Sequence, residues 1–263
     1  MKVCVLVLGA DVNLAVKTAE KIIGRISERF RSRHFSYTGM IPVVAAHIDK
    51  LNNVLKHGEA LPQSYMEADR RLIMAVDNDS SLYLDRVGEE LAKAYRQGAS
   101  SEGMPVILRM SEAVMHECAK QHLNRIWVQD TSAYTATEEL LSERLEQAGF
   151  SIRRTSDAST TTQLWRLMSE LSFAEASEQK VVLVNECQEV LSRLAHEMDA
   201  EAVVLDRLAG PFLRARSLTA EWGPAVISGY DVFVNEAADW VEKHLSGEAQ
   251  SSWHTNNPPP RLE

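Results

Sequence analysis

The amino-acid sequence predicts an α/β protein: two similar Rossmann-like lobes built on parallel sheets, with a cleft between them. Three observations carry this expectation. Short, β-branched apolar runs alternate with amphipathic helical stretches, and the alternation is taken up again in the second half of the chain. Several of those runs are continuous rather than alternating, the pattern of strands covered on both faces. A chain of 263 residues that is 45% hydrophobic is enough for one large domain or for two smaller lobes, each with its own core.

The elements follow in order. Val3 to Leu8 is a buried strand, and Gly9–Ala10–Asp11–Val12–Asn13 turns into a helix, capped by Asp11 or Asn13, with Ala15, Ala19, Ile22, Ile23 and Ile26 on one face. The basic cluster Arg25, Arg29, Arg31, Arg33, His34 reads as that helix's solvated end. Phe35 to Val44 is extended, broken at Gly39 and Pro42, and a long connection runs from His47 to Pro62. Leu72 to Val76 is a strand ending in Asp77–Asn78–Asp79–Ser80–Ser81, and Tyr83, Val87, Leu91 and Ala94 mark a helix. The polar stretch Gly98 to Gly103 is the expected hinge.

In the second half, Val106 to Leu108 is a strand and Ala113 to Cys118 helical. Ile126 to Val128 is a strand, followed by the hydroxyl-rich turn Thr131 to Thr135 and a helix through Leu140, Leu141 and Leu145 that stops at Gly149. Phe150 to Arg153 is a strand, and Leu164, Leu167, Met168 and Leu171 mark a helix. Val181 to Val184 reads as a buried strand ending at Asn185–Glu186–Cys187–Gln188, after which Val190, Leu191, Leu194, Ala195 and Met198 form a helical face. Ala202 to Leu205, ending at Asp206, is another strand, and the last helix holds Phe233, Ala237, Trp240, Val241 and Leu245. The lobes are expected at 1–100, with 210–247 returning to the first, and at 101–209. The proline-rich tail, 248–263, is expected to be disordered.

Composition narrows the function. The net charge of −9, with no basic stripe, argues against nucleic-acid and membrane-surface roles. No apolar run reaches membrane-span length, and MKVCVLVLGA is too short and strand-like for a signal peptide. Three scattered cysteines, Cys4, Cys118 and Cys187, make neither a disulfide framework nor a zinc pattern, which points to a reducing compartment and a cytoplasmic location. His116 and Cys118 are two apart on a helix and share no face, so no metal site is expected. No G-x-G-x-x-G, P-loop or G-x-S-x-G occurs, so a dinucleotide site is not expected.

In this reading Cys187 lies between a strand end and a helix start, where a cleft opens in α/β folds and where a thiolate is favoured. The alternative is a small hydrophobe in a tight turn. Four loops stand at strand ends: Gly9–Asn13, Asp77–Ser81, Thr131–Thr135 and Asn185–Glu189. Asp77 and Asp79 are equally turn and cap residues, Lys50 an exposed lysine, and Thr131, Ser132 and Thr135 capping hydroxyls. His47 and His57 fall in a connecting loop within reach of the cleft.

These residues resemble the aspartate/glutamate racemase superfamily. Glu186–Cys187–Gln188–Glu189 matches its second Gly-Cys-Thr-Glu signature at the cysteine and the last glutamate. Thr131–Ser132–Ala133–Tyr134–Thr135 with Gly149 is similar to its threonine-rich substrate loop, and Asp49–Lys50, with Gly58–Glu59 and Pro62 downstream, falls near its Asp-Arg pair. Leu8–Gly9 matches its opening, though Ala10–Asp11–Val12–Asn13 replaces the family's Gly-Met-Gly-Pro. The first signature, Cys-Asn-Thr-Ala-His, is here Asp77–Asn78–Asp79–Ser80–Ser81, which keeps only the asparagine.

The resemblance, which spans roughly residues 1 to 210, implies a cofactor-independent, PLP-independent isomerase moving an α-proton on a small acidic amino acid or related carboxylate. Cys187 would serve one face and Asp77 the other. Lys50, Ser132 and Thr135 would hold carboxylates, with Asn78, Asp79, Thr131 and Gln188 also lining the substrate. Two alternatives stay open: a one-cysteine decarboxylase or lyase, and a non-catalytic member binding a carboxylate or a partner protein. No cofactor is implied; a homodimer is, since the family is often dimeric.

Overall fold

β1 (Val3–Gly9) is buried at every position, as a continuous apolar run demands of a strand covered on both faces. In the computed structural model, which describes residues 2–32, 41–49, 53, 63–76, 105–129, 135–154, 158–205 and 224–245, it is an inner strand of a four-stranded sheet. Its neighbours are β2 (Val43–His47) and β3 (Arg70–Ala75), with β4 (Val106–Leu108) beyond β3; every pairing is parallel. α1 (Val12–Ser32) connects β1 towards β2, and the single turn α2 (Gln63–Met66) precedes β3. Ala15, Ala19, Ile22 and Ile26 of α1 are buried, whereas Ile23 is exposed, because one further residue turns it about 100° from Ile22. Asp11 is the cap: its Oδ1 accepts the Asn13 amide at 2.9 Å.

The second sheet repeats the connectivity of the first. β5 (Arg125–Gln129) is flanked by β6 (Ser151–Arg153) and β7 (Ala202–Leu205), with β8 (Ala225–Ser228) beyond β7, again all parallel. Parallel pairing needs crossovers. Among the described residues these are α4 (Thr135–Gln147) and the paired helices α5 (Ala158–Phe173) and α6 (Ser177–Glu197). α3 (Met110–Lys120) precedes β5, and α7 (Gly229–Leu245) follows β8. α4 ends as expected at Gly149, whose φ of 97° suits glycine. The amides of Gly149 and Phe150 return to the carbonyls of Glu146 and Leu145 at 2.9 and 3.0 Å, a Schellman stop. Glu201 ties two strand starts together by accepting the amides of Asn124 and Arg125.

The described residues form two compact units: one takes those up to Met110 and those from Phe233 on, the other those from Ser111 to Val232. Three expectations are corrected here. Val106–Leu108 pairs with β3 and so belongs to the first sheet. Ala225–Ser228, expected in a segment returning to the first lobe, pairs with β7 in the second sheet. Arg29 is not a solvated helix end: its guanidinium pairs with Asp239 and Glu242 and donates to the Asn235 carbonyl, tying α1 to α7.

The largest correction concerns Val181 to Val184, which is helix and not strand. The residues lie within α6, and Leu183, Val184, Cys187, Gln188, Leu191, Leu194 and Ala195 are buried on one face. That spacing of three and four is helical. It packs with α5 residues Leu164, Leu167, Met168 and Leu171. Val182, which a buried strand would enclose, is 55% exposed.

The hinge at 98–103, the helix through Tyr83 to Ala94 and the tail at 248–263 lie outside the described residues.

Candidate functional site

Parallel sheets gather the C-terminal ends of their strands along one edge, and the turns that follow carry the chemistry. On the first sheet that edge is set by register: Gly9 of β1 stands beside His47 of β2, and Leu8 beside Ala75 of β3. The Val76 amide donates to the Leu8 carbonyl at 2.9 Å, so the chain is still held to β1 one residue before Asp77. α1 starts at the same edge with Asp11 at its cap.

His47 was expected in a loop; it is the last residue of β2. Its Nδ1 accepts the backbone amide of Asp49 at 3.1 Å, and the Asp49 carboxylate lies 3.2 Å from the same nitrogen. Gly9 offers no side chain beside it. The signal in the sequence was the run Val43–Val44–Ala45–Ala46, a strand that ends on a histidine.

On the second sheet, Gln129, Leu205 and Ser228 line the matching edge through the register Gln129↔Leu205 and Leu205↔Ser228. Gln129 and Ser228 are buried. Ser228 Oγ accepts the Asp231 amide at 3.1 Å and caps α7. The hydroxyl-rich segment joins the end of β5 at Gln129 to the start of α4 at Thr135, a strand-end position.

Lys50, Asp77, Asn78, Asp79, Thr131, Ser132 and the side chain of Thr135 lie outside the described residues. Cys187 and Gln188 are described, and neither is at a strand end. Both are buried at mid-helix in α6. Cys187 is 0% exposed and packs in the apolar cluster of α5, α6, β5 and β7. Burial pushes its thiol up to about 12, with Glu186 and Glu170 adding to the effect. The helix start expected to stabilise its thiolate is not at Cys187: the N-terminus of α6 is at Ser177. Cys118, also 0% exposed, is likewise pushed up to about 12 by burial, and Cys4 to about 11, with all three unpaired.

Among the described residues, no group of three or more histidine, cysteine, aspartate or glutamate side chains is placed to hold a metal ion. Among them, too, no helix is long and apolar enough to cross a membrane.

Known structures share this architecture. An aspartate racemase homologue from Pyrococcus horikoshii OT3 superposes with a TM-score of 0.62 at 14% identity, over 92% of this chain and 99% of that one. A candidate Asp/Glu racemase from Yersinia pestis superposes at 0.58 and 14% identity, over 92% of this chain and 100% of the other. The fold is therefore that of the aspartate/glutamate racemase homologues, as the sequence resemblance implied. Arylmalonate decarboxylase aligns at only 0.46, too loosely to carry an argument. No protein-family model matches the chain, and no curated protein matches it.

Proposed function

We propose that this protein binds a small acidic amino acid or related carboxylate on a racemase-type fold, without thiol acid–base chemistry. The observation that carries the reading is the burial of all three thiols. A two-base racemase needs a thiolate against each face of the α-carbon. Here Asp77 replaces the first cysteine of the resembled signature, and Cys187 is enclosed between helices with its thiol pushed up to about 12. At neutral pH such a thiol keeps its proton and meets no substrate.

Carboxylate binding draws its support from the polar residues that follow strand ends. Lys50 comes three residues after His47, and Asp77, Asn78 and Asp79 follow Val76. Lys50 is proposed to hold a carboxylate and Asp77 to face an ammonium group. Thr131, Ser132 and Thr135, between β5 and α4, are proposed as further hydroxyl contacts. The homodimer implied by the resemblance is part of this proposal, and light scattering reads it. The unpaired cysteines support a reducing, cytoplasmic setting.

Calorimetric titration with aspartate, glutamate and malonate, alongside NMR of the same acids in D₂O, tests the reading. Saturable binding without deuterium entering the α-carbon is the expected result. Exchange that survives Cys187→Ala and disappears in Asp77→Ala would replace it with a carboxylate-based isomerase. Loss of CO₂ from malonate would replace it with a decarboxylase, and no binding to any of the acids would remove it.

A further inference from the structure

We infer that His47 is a carboxylate-binding residue whose proton is held on Nε2 by the backbone of Asp49. The inference rests on the carboxylate-binding reading above and assigns it a donor at the end of β2.

A neutral imidazole carries one proton, and the partner of one nitrogen decides which nitrogen keeps it. Nδ1 of His47 accepts the Asp49 amide at 3.1 Å. An amide N–H cannot accept, so a proton on Nδ1 would lose that bond and set two donors against each other. The proton therefore sits on Nε2. The Asp49 carboxylate lies 3.2 Å from Nδ1, on the side of the ring away from Nε2. With Nδ1 accepting, Nε2–H is the ring's hydrogen-bond donor.

Its position makes that donor useful. The side chain is 42% exposed, so it is neither locked in the core nor fully solvated. It stands at the C-terminal end of β2, at the edge of the described sheet, in register with Gly9, which has no side chain of its own. A small carboxylate on this edge would accept a charge-assisted hydrogen bond from Nε2–H.

Two measurements on the full chain test this. Long-range ¹H–¹⁵N correlation spectra of the free protein should show His47 as the Nε2–H tautomer. A neutral Nδ1–H tautomer would overturn the inference without touching the binding reading. In calorimetric titrations with aspartate and malonate, His47→Leu should weaken binding about tenfold, the worth of one charge-assisted hydrogen bond. His47→Gln, whose amide nitrogen reaches the place of Nε2, should recover most of that loss, and circular dichroism should show both variants folded. Equal affinity in wild type and His47→Leu would reject His47 while leaving carboxylate binding intact. No binding by the wild type would reject both.

Discussion

A thiol takes a proton from carbon only as its thiolate, and burial works against the thiolate. The three cysteines of this chain are all enclosed, so they behave as small hydrophobes with a weak donor. Iodoacetamide at neutral pH should label none of them in the folded protein and all of them after denaturation; fast labelling of Cys187 under native conditions would contradict its place in α6. The raised thiols also set a pH dependence. Each folded thiol keeps its proton above the pH at which the unfolded chain loses it. The stabilisation is thus complete below about 9, the ordinary thiol value, and fades as pH rises through about 12 for Cys118 and Cys187. The stability advantage of wild type over Cys187→Ala should therefore narrow between those limits, as thermal melts at stepped pH would show.

At the scale of the element, α6 carries the instructive misreading. Four apolar residues in a row fit a buried strand or a piece of buried helix equally well, and periodicity over four residues cannot separate them. The deciding information lay outside the run. Extending the face of Leu191 and Leu194 backwards by threes and fours reaches Cys187, Val184 and Leu183, which makes one long helix. Strand and helix differ sharply at Val182 and Val184. Two apart in a strand, they share a face; in a helix they diverge. Val184→Lys should cost about 4 kcal/mol or more by burying an unpaired charge, whereas Val182→Lys should stay within about 0.5 kcal/mol. Urea melts of the two variants decide between the geometries.

Most other described elements were legible because their runs were short and bounded by turn residues, as β1, β3, β5 and β7 were. β8 was not, since what defines Ala225–Ser228 as a strand is its pairing with β7, which no local pattern shows. The candidate site was legible only in part. Loops at strand ends can be read from local sequence. His47 could not be placed beside Gly9 without the β1–β2 register, and Cys187 was placed wrongly because the strand before it was.

At the scale of the whole molecule, two sheets with the same strand order are built from one chain that, among the described residues, crosses between units at Met110–Ser111 and Val232–Phe233. The second crossing falls inside α7. That helix starts directly after β8 and then buries Phe233, Val234, Ala237, Ala238, Trp240 and Val241 in the first unit. Arg29 of α1 fixes it there through Asp239, Glu242 and the Asn235 carbonyl. The first unit is therefore completed by residues more than a hundred positions from its own sheet, while the second sheet is complete by Ser228. A chain ending at Ser228 tests this asymmetry. It strips apolar cover from the first unit, where loss of one tryptophan the size of Trp240 alone costs about 3–5 kcal/mol. Hydrogen exchange should then show β1 to β4 losing protection while β5 to β8 keep theirs. Equal protection of both sheets in the shortened chain would mean that α7 only decorates the first unit.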